Sequence, residues 1–349
     1  MTFLKRFVLI ASIVFLAVSA GWALDLRDGR MLLSLDERTA RFSVHYLADA
    51  ARNRYVSLLS EQDARTSYPT LYWDGKTFRL GEGSDFRFTV RREGSSAVIE
   101  YRSSFAIIRQ TFQFLRSSGA SDSDGILLEF SIENLTDNSA SVGFRILLDT
   151  YQGERSKTHF EIDGTGVAGA ELSLAGASVP KRLITPGDSG ASLQIQLSGE
   201  GLTIPNRLIL SNWKRINDTE WGFESSPGRS FTLLPFSIED SAAALYFDPS
   251  ELRGGGRRVF RIVLGNKSEM GYSAPAIPVA SIPPTTESSP PLLSVGPDPF
   301  VAARTNIAAL REIIVRIDVL LAAGETPEPA QIEEIRRLLE SIRVRSQEY

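Results

Sequence analysis

A large antiparallel β-sandwich, followed by a proline-rich linker and a C-terminal α-helical hairpin, is the mainly β fold class that this sequence predicts. Period-two alternation of apolar and polar residues recurs in short runs from Leu24 to about Met270, as strands with one buried face require. From Gly271 to Asp298 the chain holds seven prolines and no lysine or arginine, a composition that buries too little apolar surface to fold. Beyond it the apolar spacing switches to three and four, the period of a helix.

The first residues have the layout of a cleavable secretory signal: Lys5 and Arg6, the apolar run Phe7 to Val18, then the small residues Ser19, Ala20 and Gly21. The apolar run is short for a membrane span, and cleavage is expected after Ala20 or Ala23. The expected divisions are therefore a signal over 1–23, the sandwich over 24–270, the linker over 271–298 and the hairpin over 299–349. A periplasmic location is expected, with an extracellular one as the alternative, and membrane contact only through the signal before cleavage. The chain has no cysteine, so an exported domain must hold together by its core and not by disulfides. Its net charge of -4, from 38 basic and 42 acidic side chains, offers no basic stripe, which sets nucleic acid aside.

Within the sandwich the clearest strand carries Ile126, Leu128, Phe130 and Ile132 on one face. The turn from Leu135 to Ser139 is expected to reverse it into Val142, Phe144, Ile146 and Leu148 as a hairpin. Further strands fit Phe105 to Phe114, Leu193 to Leu197, Arg207 to Ser211 and Ala243 to Phe247. Phe260, Ile262 and Leu264 alternate after the Gly254-Gly255-Gly256 turn. After the linker, Ile307, Leu310, Ile314, Ile317 and Leu321 form one apolar stripe with coiled-coil spacing, and Ile332, Ile335, Leu339 and Ile342 form another. Asp298-Pro299 opens the first helix, and Ala323 to Pro327 separates the two. Two helices share only one seam, so these residues are candidate contacts for a partner protein of the cell envelope, for a second copy or for the sandwich itself.

Candidate chemistry is sparse. His45 and His159 stand outside any ligand-spaced cluster, so no metal ligand is assigned. No Gly-x-Ser-x-Gly elbow occurs, no catalytic residue is assigned, and no cofactor is expected. Asp149, Glu154, Glu161 and Asp163 follow the strand that ends at Leu148, where loops often carry function. Asp149 and Glu154 are the candidate ligand-binding acids, with a solvated surface role as the plain alternative. Trp73, beside Asp74 and Gly75, and Trp213 with Trp221 are candidate ligand-binding aromatics that would stack on a sugar ring; core packing is the competing reading.

The run Leu208 to Trp213, then Trp221, Gly228 to Phe231, Asp240 to Tyr246 and Arg258 to Phe260, with Ile132-Glu133-Asn134 and Ile146 to Thr150, resembles a family of uncharacterised exported prokaryotic β-sandwich proteins over most of residues 26–266. More distantly it is similar to the galactose mutarotase-like supersandwich, which implies that fold and a sugar-facing cleft. Where that family places a histidine this chain reads Asp149-Thr150-Tyr151, so the resemblance implies no mutarotation. The expected function is that of a non-catalytic periplasmic binding or scaffold protein contacting partners through the sandwich and the hairpin, as in an envelope machine such as a flagellar motor collar. A carbohydrate-binding module, or a sugar-active enzyme using Asp149 with Glu154 or Asp163, is the alternative.

Overall fold

A computed structural model describes residues 23–60, 64–156, 158–163 and 166–275. The expected signal up to Trp22, the expected linker beyond Pro275 and the expected helical hairpin lie outside the described residues. Strands β1 (Ala23–Asp28), β2 (Met31–Asp36), β3 (Arg41–Asp49) and β4 (Arg54–Ser57) form an N-terminal meander in the order β1-β2-β3-β4. Alternation drives it: Met31, Leu33 and Leu35 are buried on β2 while the residues between them are half-buried.

Next come β5 (Tyr68–Trp73), β6 (Lys76–Arg79), β7 (Arg87–Glu93), β8 (Ser96–Arg102), β9 (Ala106–Leu115), β10 (Gly125–Asn134) and β11 (Ala140–Asp149). A single helical turn, α1 (Gln152–Ser156), leads into the short strands β12 (Phe160–Ile162), β13 (Gly166–Ala168), β14 (Leu172–Ala175), β15 (Arg182–Thr185) and β16 (Leu193–Gln196). The chain ends its described part with β17 (Arg207–Asn212), a second turn α2 (Trp213–Asn217), β18 (Ser241–Leu252) and β19 (Arg257–Asn266). The large sheet has nine strands in the order β13-β12-β15-β16-β19-β10-β9-β8-β7, and the second sheet six in the order β14-β17-β18-β11-β5-β6. All pairings are antiparallel.

The main core lies between the large sheet and the other two. Phe130 and Phe260 of the large sheet meet Phe144 of the second sheet at ring-centroid distances of 4.8 and 5.6 Å. Phe112 of β9 meets Phe42 of the N-terminal sheet at 5.2 Å. Phe112 lies opposite Leu128 in the large sheet, so both smaller sheets pack on the same face of it.

One expectation is corrected. Residues 126–132 and 142–148 do not form a hairpin, because β10 pairs with β9 and β19 whereas β11 pairs with β5 and β18. The turn between them carries the chain from one sheet to the other, so the two apolar faces meet across the core and not edge to edge. Alternation marks that a strand has a buried face, but not whether its neighbour in sequence lies beside that face or opposite it. The connection from β18 to β19 crosses in the same way, and Asn134 stitches the two crossings together. Its side-chain amide donates to the carbonyls of Asn138 and Leu252 at 2.8 and 3.0 Å. Its backbone exchanges hydrogen bonds with Gly255 and Gly256.

The outer face of the second sheet is covered as well. Tyr68, Leu147, Ile209, Ala242, Ala244 and Tyr246 of the sheet form a second core with Ile216 and Phe223, flanked by Trp213 and Trp221. The segment 213–240 therefore acts as a roof over this face. On the central strands of the large sheet, residues 271–275 pack against its outer face. Tyr272 and Ala274 are buried with Leu127 and Val263, and the single proton of the Tyr272 hydroxyl lies between the carbonyls of Asn266 and Asp124, 2.7 and 2.9 Å away.

Candidate functional site

The antiparallel pairing of β11 with β18 sets Asp149 opposite Ala242, which brings the loop after β11 against the loop before β18. Thr150 fixes the junction, its amide and hydroxyl both donating to the Ser241 carbonyl at 3.1 and 2.9 Å. The α1 turn then folds Glu154 back over the same spot, where its Oε1 accepts the Ser241 amide at 2.9 Å. Gln152 secures the turn from below by donating to the Ser57 carbonyl. Gly153 leaves no room for a side chain, since a Cβ there would collide with the backbone of His159.

These contacts gather Asp149, Glu154 and Asp240 so that one carboxylate oxygen from each lies within 4.8 Å of the others. Asp149 is buried and the other two are half-buried. Burial, reinforced by the facing charges of Asp149, Asp240 and Glu239, pushes the Glu154 carboxyl up to about 8 against the opposing hydrogen bond from Ser241. Burial also raises Asp240, while a hydrogen bond from Ser237 works in the other direction. Like charges brought this close favour retention of a proton by one member. Glu154 is thus a neutral acid at neutral pH beside carboxylates, a pairing able to share a proton or, once ionised, to coordinate a hard cation through oxygen.

A second polar pair adjoins the acids. His159 is buried, its Nε2 2.7 Å from Glu239 Oε2, and its ring meets Phe231 edge-on at 4.6 Å. The Thr232 hydroxyl donates to Glu239 Oε1 at 3.3 Å. Trp213 holds the roof down by donating its indole N–H to the Thr66 carbonyl at 2.8 Å. Asn212 caps α2 through the Arg215 amide and donates to the Phe231 carbonyl and Ser237 hydroxyl at 2.6 and 2.9 Å.

Of the residues singled out in the sequence, the structure brings Asp149 and Glu154 together. Glu161 and Asp163 turn elsewhere and pair with Lys267 at 2.8 Å and Arg182 at 3.5 Å. Trp73 lies in the inter-sheet core, 8% exposed and 4.9 Å from the Phe105 ring, so its faces are taken by protein neighbours. Trp213 and Trp221 are half-buried in the roof, Trp221 packing on Tyr72 and Tyr246 at 5.1 and 5.5 Å. The nine stripe residues named after the linker lie outside the described residues. Asp240, and the contact of Glu239 with His159, escape sequence reading, because only the β11–β18 pairing places residue 240 beside residue 149.

No family model and no curated protein matches the chain by sequence. Among solved structures, it is similar to a galactose mutarotase-like protein from Lactobacillus casei, at 9% identity and a TM-score of 0.44, over 70% of this chain and 100% of that one. It is also similar to a putative aldose 1-epimerase from Escherichia coli K12, at 9% identity and a TM-score of 0.41, over 70% of this chain and 98% of that one. Its structural neighbours are galactose mutarotase-like β-sandwiches. The likeness is distant in both measures.

A different surface stands out on the same roof. The large apolar side chains exposed at the surface include Leu234, Phe236 and Ile238, which are 72%, 66% and 72% exposed. They sit on one tight loop closed by reciprocal backbone hydrogen bonds between Leu233 and Ser237, both 2.9 Å, and by the Phe236 amide on the Leu233 carbonyl at 2.8 Å. Its base is tied down through Ser237 to Asn212. The apolar tip is therefore a fixed projection.

Proposed function

We propose that this chain is a non-catalytic binding and scaffold component of the cell envelope, exported to the periplasm, in which the sandwich and the C-terminal helical hairpin are two separate contact modules. The observation that carries the reading is the apolar tip at Leu234, Phe236 and Ile238. A fixed loop that keeps three large apolar side chains in water costs solvation free energy unless something covers it. The filled outer face of the second sheet supports the same reading, since the aromatics there that would line a sugar cleft pack on the roof.

Because the chain has no cysteine, a single one placed at position 236 can be labelled uniquely. Phe236→Cys is expected to react with a maleimide in the purified protein but to be shielded in intact envelopes. A cysteine at the exposed Glu93 serves as the control that reacts in both. Equal reaction of position 236 in both settings overturns the reading.

A second reading, carbohydrate binding or sugar chemistry, is favoured by the Asp149–Glu154–Asp240 cluster. Acids acting across a glycosidic bond stand about 5 to 9.5 Å apart, whereas the facing oxygens of these lie within 4.8 Å, so the cluster fits the binding form of this reading better than the catalytic one. Calorimetry against neutral and acidic monosaccharides, with Glu154→Gln as the control, tests it. Heat that is present in the wild type and absent in the variant would support it, and no heat in either would dispose of it.

A further inference from the structure

We infer that the partner of the apolar tip is a lipid bilayer surface, with Leu234, Phe236 and Ile238 entering the headgroup–acyl boundary; the inference rests on the reading of the tip as a contact surface. Three features of the tip fit a bilayer better than a protein partner. The first is its shape and size. It is a projection and not a groove, and three side chains of this kind present on the order of 300–400 Å² of apolar surface, well short of the roughly 800 Å² per partner of a specific protein interface. A bilayer boundary takes up a small apolar wedge without needing a matched surface.

The second feature is the backbone. Polar main-chain groups entering a low-dielectric medium must be satisfied internally. The amides of Leu233, Phe236 and Ser237 donate within the loop and Pro235 has no N–H, which lowers the number of polar groups to be solvated, and a shallow seat at the headgroup boundary leaves the remaining ones in reach of water.

The third feature is the placing of charge. From Phe231 to Ile238 the chain has no ionisable side chain. Lys214 stands 4.9 Å from the centroid of the Phe236 ring, where its ammonium can reach phosphates while its stem stays on apolar surface. That ammonium also pairs with Asp218 at 2.8 Å, an exposed contact that a phosphate can replace at little cost. The acids that follow the tip are engaged by the protein, Glu239 by His159 and Thr232 and Asp240 by Ser237.

The test uses the chain from Leu24 to Tyr349 carrying Phe236→Cys labelled with an environment-sensitive dye. The probe is vesicles of phosphatidylethanolamine and phosphatidylglycerol. The emission of the dye is expected to shift to the blue on mixing, and lipids spin-labelled near the headgroup are expected to quench it. In co-sedimentation the triple variant Leu234→Ser, Phe236→Ser, Ile238→Ser is expected to bind about tenfold or more weakly than the wild type, leaving any contribution of the C-terminal helices common to both. Lys214→Glu is expected to weaken binding on vesicles rich in phosphatidylglycerol. An unchanged emission with vesicles overturns the inference. If the same position is nevertheless shielded in intact envelopes, the partner is a protein and the contact reading stands; if it is accessible there too, both fall.

Discussion

Glu154 keeps its proton where an ordinary glutamate would lose it, and this has a thermodynamic signature. Between its usual value of 4.5 and about 8, the folded chain binds a proton that the unfolded chain has released. Stability is therefore fully present below this window and falls as pH rises through it. Glu154→Gln removes the titration while leaving an oxygen to accept the Ser241 amide. Its unfolding midpoint in urea, measured from pH 5 to pH 9, is expected to gain on the wild type as pH rises, with the largest advantage above pH 8; equal slopes would contradict the assignment. Glu171 is a buried carboxylate engaged by Arg215, the Ser211 hydroxyl and the Ser226 amide. Replacing it with alanine leaves the Ser211 hydroxyl and the Ser226 amide without their acceptor and should cost about 1–3 kcal/mol, read as a drop in the same midpoint. Neither role is written in the local sequence. Asp149 and Glu154 were legible as neighbours after a strand, but Asp240 and Glu171 acquire their partners from strand pairings and from the roof, which connect residues far apart in the chain.

The elements themselves were largely legible because they obey the two-residue period. Residues 193–197 and 207–211, which the pattern predicts as strands, are β16 and β17 to within a residue or so. The roof was not, since 213–240 contains only one short helix and has no period. It nevertheless explains why β11 is buried along nearly its whole length and not on one face alone. Arg145, on the face of the strand turned away from the main core, is 1% exposed beneath the roof, its guanidinium donating to the Thr219 carbonyl at 3.0 Å and the Thr70 hydroxyl at 3.3 Å. Trp221 is the hinge of this packing, and Trp221→Ala is expected to destabilise by about 2 kcal/mol, below the range for a fully buried tryptophan. Limited proteolysis should then cut first between residues 213 and 240. Cleavage elsewhere, with this segment intact, would argue that the roof is held by its hydrogen bonds alone.

At the scale of the molecule, the boundary of the sandwich lies in its contacts and not at the onset of the proline-rich composition. Tyr272 fills a notch beside Gly125 and Gly265 that no side chain on either glycine would leave open, and the Pro275 carbonyl accepts from Arg261 at 2.7 Å. A chain ending after Pro275 is expected to melt with the full sandwich, whereas one ending after Met270 loses the buried Tyr272 and should be less stable by about 3 kcal/mol. Calorimetric melting of the two truncations, compared with the intact chain, checks this. If both melt alike, the tail contributes nothing.

The position of β19 carries a consequence for how such a chain is made. This strand, the last among the described residues, is not at a margin but between β16 and β10, in the middle of the large sheet. Until Arg257–Asn266 emerges, the halves on either side of it have no shared backbone to bind to, and contacts this remote in sequence close slowly. Strands β10 and β16 must therefore keep their facing edges open until residues 257–266 arrive between them, and the large sheet closes late.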